Sequence, residues 1–235
     1  KKLLQGRNKM LPKLTALCVN ENPIIQQNID KLTQLLSLNV AEQTLFRLSV
    51  QLCLDEPLKK LSEVLPKSNL VGVSEVLSNL FGLPKSDIIS ALKDKGKLLG
   101  YGLLERNYNP DSLHDYLDWG KMLDFDEFIS EPLNEQVLLK VCTKPAIEPS
   151  LSLDDFAHLN EMKRMMLDYL QSSFATHRKG ANILIYGAPG TGKTELATLL
   201  GKVLSVSVNN ITYMDEDGDV ISAEDHLNKC RFAQK

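Results

Sequence analysis

Apolar positions recur at helical spacing through the first quarter of the chain. Ile24, Ile25, Ile29, Leu32, Leu35 and Leu36 mark one face, with Pro23 near its start. Leu45, Leu48, Leu52 and Leu54 continue the pattern as far as Pro57, and Leu58, Leu61 and Val64 carry a short segment that stops before Pro66. Residues 1–66 therefore predict a packed helical domain with no chemistry of its own. From 67 to 105 the spacing predicts two short helices, Val73 to Leu80 and Pro84 to Leu92, with Gly82 between them. Leu77, Phe81, Leu83, Ile88 and Ala91 fall where a helix-turn-helix needs apolar packing residues, and Asp87 falls in the first turn of the second helix. Lys97 to Leu104 reads as a strand or wing.

The pattern loosens over 106–150, which reads as a connecting region. Asn107 to Asp111 holds a turn signal. Asp115, Asp118, Asp124, Asp126 and Glu127 surround Trp119 and Phe125 as a solvated acidic face, and Lys144 to Ser150, with Pro145 and Pro149, reads as an extended linker. Leu159, Met162, Met166, Tyr169 and Leu170 then share a helical face, read as core packing. Asn182 to Tyr186 is a short apolar run of the kind that forms a buried parallel strand. Leu196, Leu199, Leu200 and Val203 lie on one face of the helix after it, Ser205 to Tyr213 reads as a second strand, and a last helix starts at Ser222, with Asp225 three residues on as its capping partner. The expected fold is an α-helical N-terminal region with a winged-helix-like unit, then part of an α/β domain with a parallel sheet. Its expected divisions are 1–66, 67–145 and 146–235.

Composition changes this picture little. The 235 residues carry a net charge of −3, and residues 1–145 hold 18 basic and 18 acidic residues, so no basic field draws the chain to nucleic acid or membrane. No run of 18 or more apolar residues offers a membrane span. The start, KKLLQGRNKM, has no initiator Met and no long apolar region after its charges, which argues against a secretory signal and for a fragment or processed start. Cys18, Cys53, Cys142 and Cys230 form no C-x-x-C pair and the four His are scattered, so reduced thiols and a cytoplasmic location are expected rather than a zinc site. At the second helix of the 67–105 pair, the positions that would read DNA are Lys85, Ser86, Ser90 and Lys93, opposed by Asp87. Lys93, Lys95 and Lys97 would be the phosphate contacts. Such a set reads DNA poorly, and a domain that packs on partners or on the module at 146–235 is expected instead.

Between the apolar run and its helix stands the chemistry. Gly187-Ala188-Pro189-Gly190-Thr191-Gly192-Lys193-Thr194 fits G-x-x-x-x-G-K-[ST] at every fixed position, in the strand-loop-helix context the motif needs. Gly187, Gly190 and Gly192 let the backbone turn tightly and approach a phosphate. The loop N–H groups and the helix N-terminus, continuing into Glu195, form an anion site. Lys193 supplies a mobile positive charge for the β and γ phosphates, and the Thr194 hydroxyl is a hard oxygen ligand suited to Mg²⁺.

This loop, with Pro189 inside it, resembles the phosphate-binding loop of the AAA+ ATPases, as does the approach Leu153-Asp154-Asp155-Phe156 and Lys179-Gly180-Ala181-Asn182. The resemblance covers about residues 150–235. It implies ATP and Mg²⁺ as ligands, Lys193 as a catalytic group and Phe156 to Leu159 near the adenine. In the complete protein it implies hydrolysis by a homo-oligomeric ring that remodels a protein or other macromolecule. The family's acidic metal-binding strand, catalytic glutamate, sensor, arginine finger and helical lid would lie after Lys235, so 1–235 alone is expected to bind ATP, hydrolyse it barely and stay monomeric. Met214-Asp215-Glu216 is not that acidic strand, because Asp215 follows Lys193 by only 22 residues. Nor is it a calcium loop: Asp215, Asp217, Gly218 and Glu224 match four positions of an EF-hand, but Tyr213 stands where the first carboxylate belongs. Asp217 to Ile221, where threading members carry an aromatic pore loop, has no aromatic. Two other readings stay open: a DNA-binding regulator switched by ATP, and a P-loop small-molecule kinase.

Overall fold

The computed structural model describes residues 22–64, 69–178, 180–214 and 219–235. They divide into two compact units. One holds the described residues of Lys1–Cys142 and Tyr213–Ala233; the other is Thr143–Thr212.

The first unit is helical. α1, Pro23–Leu36, starts where Asn22 Oδ1 accepts the Ile24 N–H at 3.0 Å and Pro23 takes the first helical position. It buries Ile25, Asn28, Ile29, Leu32 and Leu36 along one face. α2, Val40–Leu54, opens on a reciprocal cap: Asn39 Oδ1 accepts the Glu42 N–H at 2.9 Å, and Glu42 Oε2 accepts the Asn39 N–H at 2.8 Å. Leu45, Phe46, Leu48, Val50 and Leu52 are all buried, so α2 is enclosed nearly all round and forms the centre of the unit. α3, Glu56–Val64, follows. α4, Leu70–Phe81, and α5, Lys85–Leu92, form the expected helix pair, joined through Gly82 at φ 68°. The Ser78 hydroxyl closes the turn on the Leu83 carbonyl at 2.7 Å.

Two expectations change here. Lys97 to Leu104 is not a strand or wing at its start, because Lys97–Gly100 is a helical turn, α6. Its neighbours Leu98 and Leu99 are both buried, which a helical turn allows and a strand's alternation does not. Only Leu104 makes an extended contact, an isolated antiparallel bridge to Trp119. The second change is in the supposed connector. Leu113, Leu117, Met122, Leu123, Phe128, Leu133 and Leu138 lie in the same core as α1 and α2. Trp119 stacks on Phe46 at 5.5 Å between centroids, meets Phe125 and Phe128 at 5.0 Å, and donates its indole N–H to the Leu123 carbonyl at 2.7 Å. Of the acidic residues beside it, Asp124 serves as a cap: it accepts the Glu127 N–H at the start of α7, Phe125–Ser130. α8, Glu135–Cys142, ends the run.

The second unit begins without a spacer. β1, Thr143–Pro145, pairs antiparallel with a later strand, Asn209–Ile211 (β2), in the register Thr143↔Ile211 to Pro145↔Asn209. Between them lie a 3-10 segment, Leu153–Leu159, then α9, Asn160–Ala175, and α10, Lys193–Val203. Phe156, Met166, Leu196, Leu199 and Leu200 make its small core, with Ile185 packed on it. The Lys163 ammonium, buried, is held by the Leu153 carbonyl at 2.5 Å. Among the described residues this antiparallel pair is the sheet. The parallel sheet expected around Asn182–Tyr186 is not seen among the described residues: there 182–186 pair with no strand, and Leu184 and Tyr186 are 85% and 87% exposed. An apolar run holds a parallel-strand pairing only when strands flank it, and none lies alongside among these residues.

The last helix, α11 (Ala223–Ala233), has the expected cap, the Ser222 hydroxyl accepting the Asp225 N–H at 3.1 Å. It does not continue the second unit. It belongs to the first, where it packs on α8 and buries Phe232, whose ring meets Tyr101 edge-on at 6.4 Å. Among the described residues no helix is long and apolar enough to cross a membrane.

Candidate functional site

The loop between 186 and α10 is built on glycine. Gly190 at φ 77° and Gly192 at φ 78° occupy the left-handed region, where a side chain would be strained. Gly192 is also the residue before α10, and the Phe156 ring lies against it, so that a Cβ there would sit 3.0 Å from Phe156 Cζ. The Gly192 carbonyl accepts the Leu196 N–H at 2.8 Å, which starts the helix and leaves its first N–H groups without helical acceptors.

Lys193 folds back over the loop. Its Nζ donates to the Ala188 carbonyl at 2.6 Å and the Gly187 carbonyl at 3.2 Å, and lies 3.4 Å from Thr191 Oγ1. The Thr191 hydroxyl donates in turn to the Ala188 carbonyl at 2.9 Å. The ammonium is thus centred over the turn that runs Gly187, Ala188, Pro189, Gly190. Thr194 stands exposed in the first turn of α10. A positive head group, a helix N-terminus and an exposed hydroxyl together suit a polyanion carrying a hard cation.

Glu195 does something the sequence did not suggest. Its carboxylate accepts the Ser150 N–H at 2.9 Å, the Ser150 hydroxyl at 3.2 Å and the Leu151 N–H at 3.4 Å. Of the predicted loop residues, the structure therefore gathers Gly187 to Thr194 around one turn and gives Glu195 to the incoming chain. Phe156, expected near a base, is the ring packed on Gly192. Ser150 and Leu151 were missed, because their contribution is made chiefly by backbone N–H groups, which carry no signature of residue type.

Other candidates find partners elsewhere. Lys85 pairs with Glu75 at 3.2 Å, Ser90 donates to its own helix, and Lys97 pairs with Glu42 at 3.6 Å and donates to the Ser37 carbonyl. Of the acidic cluster, Asp118 meets His114 at 3.3 Å. Burial works against ionisation of Asp115, but N–H donors from Asp111 and Ser112, at 2.7 and 2.8 Å, outweigh it and hold its pKa below the ordinary value. His114, Asp115 and Asp118 do come together, which the scattered positions of the histidines did not suggest. Asp115 Oδ2 is spent on that turn. Glu224, in the calcium lookalike, pairs with Arg106 at 3.0 Å, while Asp215, Glu216, Asp217 and Gly218 lie outside the described residues. Among the described residues Cys53, Cys142 and Cys230 form no disulfide, and burial pushes the Cys142 thiol up to about 11, so it stays protonated near neutrality. Cys18 and Lys179 also lie outside the described residues.

Comparison with known proteins gives a partial likeness. The chain is 30% identical over 91 residues to the Holliday junction branch migration complex subunit RuvB of Nitratidesulfovibrio vulgaris, in strain DP4 and in strain Hildenborough alike. The match covers 38% of this chain and 28% of those relatives. No family model matches, and no solved structure does.

Proposed function

We propose that the second unit binds ATP with Mg²⁺ at Gly187 to Thr194, and that the complete protein is an AAA+ type ATPase that uses hydrolysis to remodel a macromolecule. The observation that carries this is Lys193, whose ammonium lies over the glycine turn at the start of α10, where loop oxygens are its partners among the described residues. Carbonyls are weaker partners for an ammonium than phosphate oxygens, so an incoming triphosphate draws Nζ off Gly187 and Ala188 and onto its β and γ groups. Loop N–H groups and the α10 N-terminus hold the remaining phosphate oxygens. Thr194 would supply one oxygen to Mg²⁺, whose charge would offset the charge that develops on the transferred phosphoryl group. The partial likeness to RuvB supports the family reading. In that reading Asn182–Tyr186 is one strand of a parallel sheet, the location is cytoplasmic, as the lack of a disulfide among the described cysteines allows, and the complete protein assembles as a ring.

Thr194→Ala tests the metal half of the claim. It removes the Mg²⁺ ligand and leaves Lys193 in place, so the affinity for Mg-ATP falls while that for ATP in the presence of a chelator changes little. Calorimetric titration under both conditions checks this. Equal losses in the two would contradict Thr194 as the metal ligand.

One observation favours a second reading. RuvB is a subunit of a Holliday junction branch migration complex, which favours DNA as the remodelled macromolecule. The charge balance of residues 1–145 and the pairing of Lys85 and Lys97 with acids weigh against the first unit as the reader. Titration of the full chain with duplex and four-way junction DNA at moderate salt is expected to show no submicromolar, sequence-dependent or structure-dependent binding; such binding would put the second reading first.

A further inference from the structure

The segment from β1 to Phe156 follows α10 from one end to the other. It leaves the β1–β2 pair with the Ala146 N–H on the Val208 carbonyl at 2.9 Å. Glu148 then meets Lys202 at 3.0 Å. Ser150 and Leu151 close on the Glu195 carboxylate, and Leu151 and Phe156 end against Gly192, with Leu151 Cδ1 3.7 Å from where a Cβ would be. The contact positions on the helix side are Gly192, Glu195 and Lys202. They are three and seven residues apart, so they lie along one face. At the far end α10 is seated as tightly, since a Cβ on Gly201 would overlap the Val208 side chain.

The place of Glu195 in this arrangement needs a reason. It directly follows Thr194, in the first helical turn, where a free carboxylate would repel a triphosphate across a few ångströms. Three donors from Ser150 and Leu151 draw that charge to the side and occupy it. The same bonds fix the course of the chain that delivers Phe156 to Gly192, the residue from which the loop enters α10.

We propose that Thr143–Phe156 is a strap belonging to the nucleotide site, and that Glu195 is a positioning residue: it clamps the strap, the strap seats Phe156 on Gly192, and that contact holds the phosphate loop ready for a triphosphate. This rests on the ATP reading above. The Glu195 carboxylate touches no phosphate. Its effect on nucleotide affinity passes through Ser150, Leu151 and Phe156.

The test is done on the full chain, with Mg-ATP affinity and backbone hydrogen exchange over 146–156 measured together for wild type, Glu195→Ala and Glu195→Gln. Ala removes every acceptor. Gln keeps one oxygen for the two N–H donors and offers the Ser150 hydroxyl an amide donor in return. Expected are a roughly 5- to 20-fold weaker Mg-ATP affinity and faster exchange at 150–151 for Glu195→Ala, of the size of one lost charge-assisted contact. Most of both is recovered in Glu195→Gln. Phe156→Leu is the second variant: it leaves Glu195 and the clamp in place, and is expected to weaken Mg-ATP while 150–151 stay protected. If Glu195→Ala frees 150–151 without changing affinity, the strap is packing alone and the proposal is overturned. Tighter binding by Glu195→Ala and Glu195→Gln also overturns it, since Glu195 would then be acting on the phosphates by its charge. No Mg-ATP binding by wild type overturns the nucleotide reading and the strap's role with it, a result distinct from indifferent variants of a protein that binds.

Discussion

Replacing Lys193 by Ala lowers the affinity for Mg-ATP about 10- to 150-fold. The figure comes from one charge-assisted contact, worth about 1.5–3 kcal/mol, with about 1.4 kcal/mol for each tenfold in affinity. The fold should survive. Among the described residues Lys193 Nζ holds loop oxygens at a half-buried position, Ala188 at 2.6 Å and Gly187 at 3.2 Å, and water can replace it there. Ala is also a good helix residue for the start of α10. Lys193→Arg is a useful companion. Its planar, bulkier guanidinium keeps the charge but not the compact head group, so it should recover only part of the loss. Calorimetric titration of folded variants reads both. An unchanged affinity in folded Lys193→Ala would mean that the ammonium does not meet the phosphates.

The largest loss of stability is expected from Asn28→Ala. Asn28 is completely buried on the inner face of α1 and makes three bonds. Its Nδ2 donates to the Phe128 and Glu131 carbonyls at 2.7 Å each, and its Oδ1 accepts the Leu133 N–H at 2.7 Å. The reason lies in the sequence four residues after Phe128. Pro132 has no N–H, so the Phe128 carbonyl at the end of α7 loses its helical donor and a side chain from another helix supplies one. Alanine strands the Phe128 carbonyl and the Leu133 N–H away from water, and takes its donor from the half-buried Glu131 carbonyl. At about 1–3 kcal/mol for each buried unpaired group, offset by local relaxation, the cost is about 3–5 kcal/mol. That is a large part of the 5–15 kcal/mol or so that holds a domain together. The protein's single tryptophan, Trp119, stacks on Phe46 and meets Phe128 in the same core, so its fluorescence follows this unit alone through urea unfolding. A loss under about 1 kcal/mol would mean that these groups reach water or other partners without Asn28.

What the sequence made legible follows from which signals are local. α1, α4 and α5 carry runs of apolar residues three and four apart, an Asn cap or a proline at the start, and Gly82 at the stop. The phosphate loop was legible for the same reason: its backbone needs positive φ at Gly190 and Gly192, and only glycine adopts that freely. Residues 106–142 were not. Their buried side chains sit on a 3-10 turn, a single bridge and two short helices, so Leu113, Leu117, Met122, Leu123 and Phe128 follow neither period. They are buried by packing on residues distant in sequence, in the core shared with α1 and α2. Asn28 was overlooked as a polar residue inside an apolar face, since the groups it satisfies lie about a hundred residues on. Glu195 was legible as a neighbour of the phosphate loop but not as a clamp, because its donors are chiefly backbone N–H groups of the strap. The return of α11 to the first unit was also hidden, as its pairing with α8 is long-range.

Hydrogen exchange on the full chain, with and without saturating Mg-ATP, asks most directly whether Gly187 to Thr194 is a nucleotide site. The account predicts new protection concentrated at the amides of 187–195, where loop and helix N–H groups meet phosphate, and its loss in Lys193→Ala at the same nucleotide concentration. Protection confined to the first unit, or none at 187–195 when Mg-ATP is bound, would contradict it.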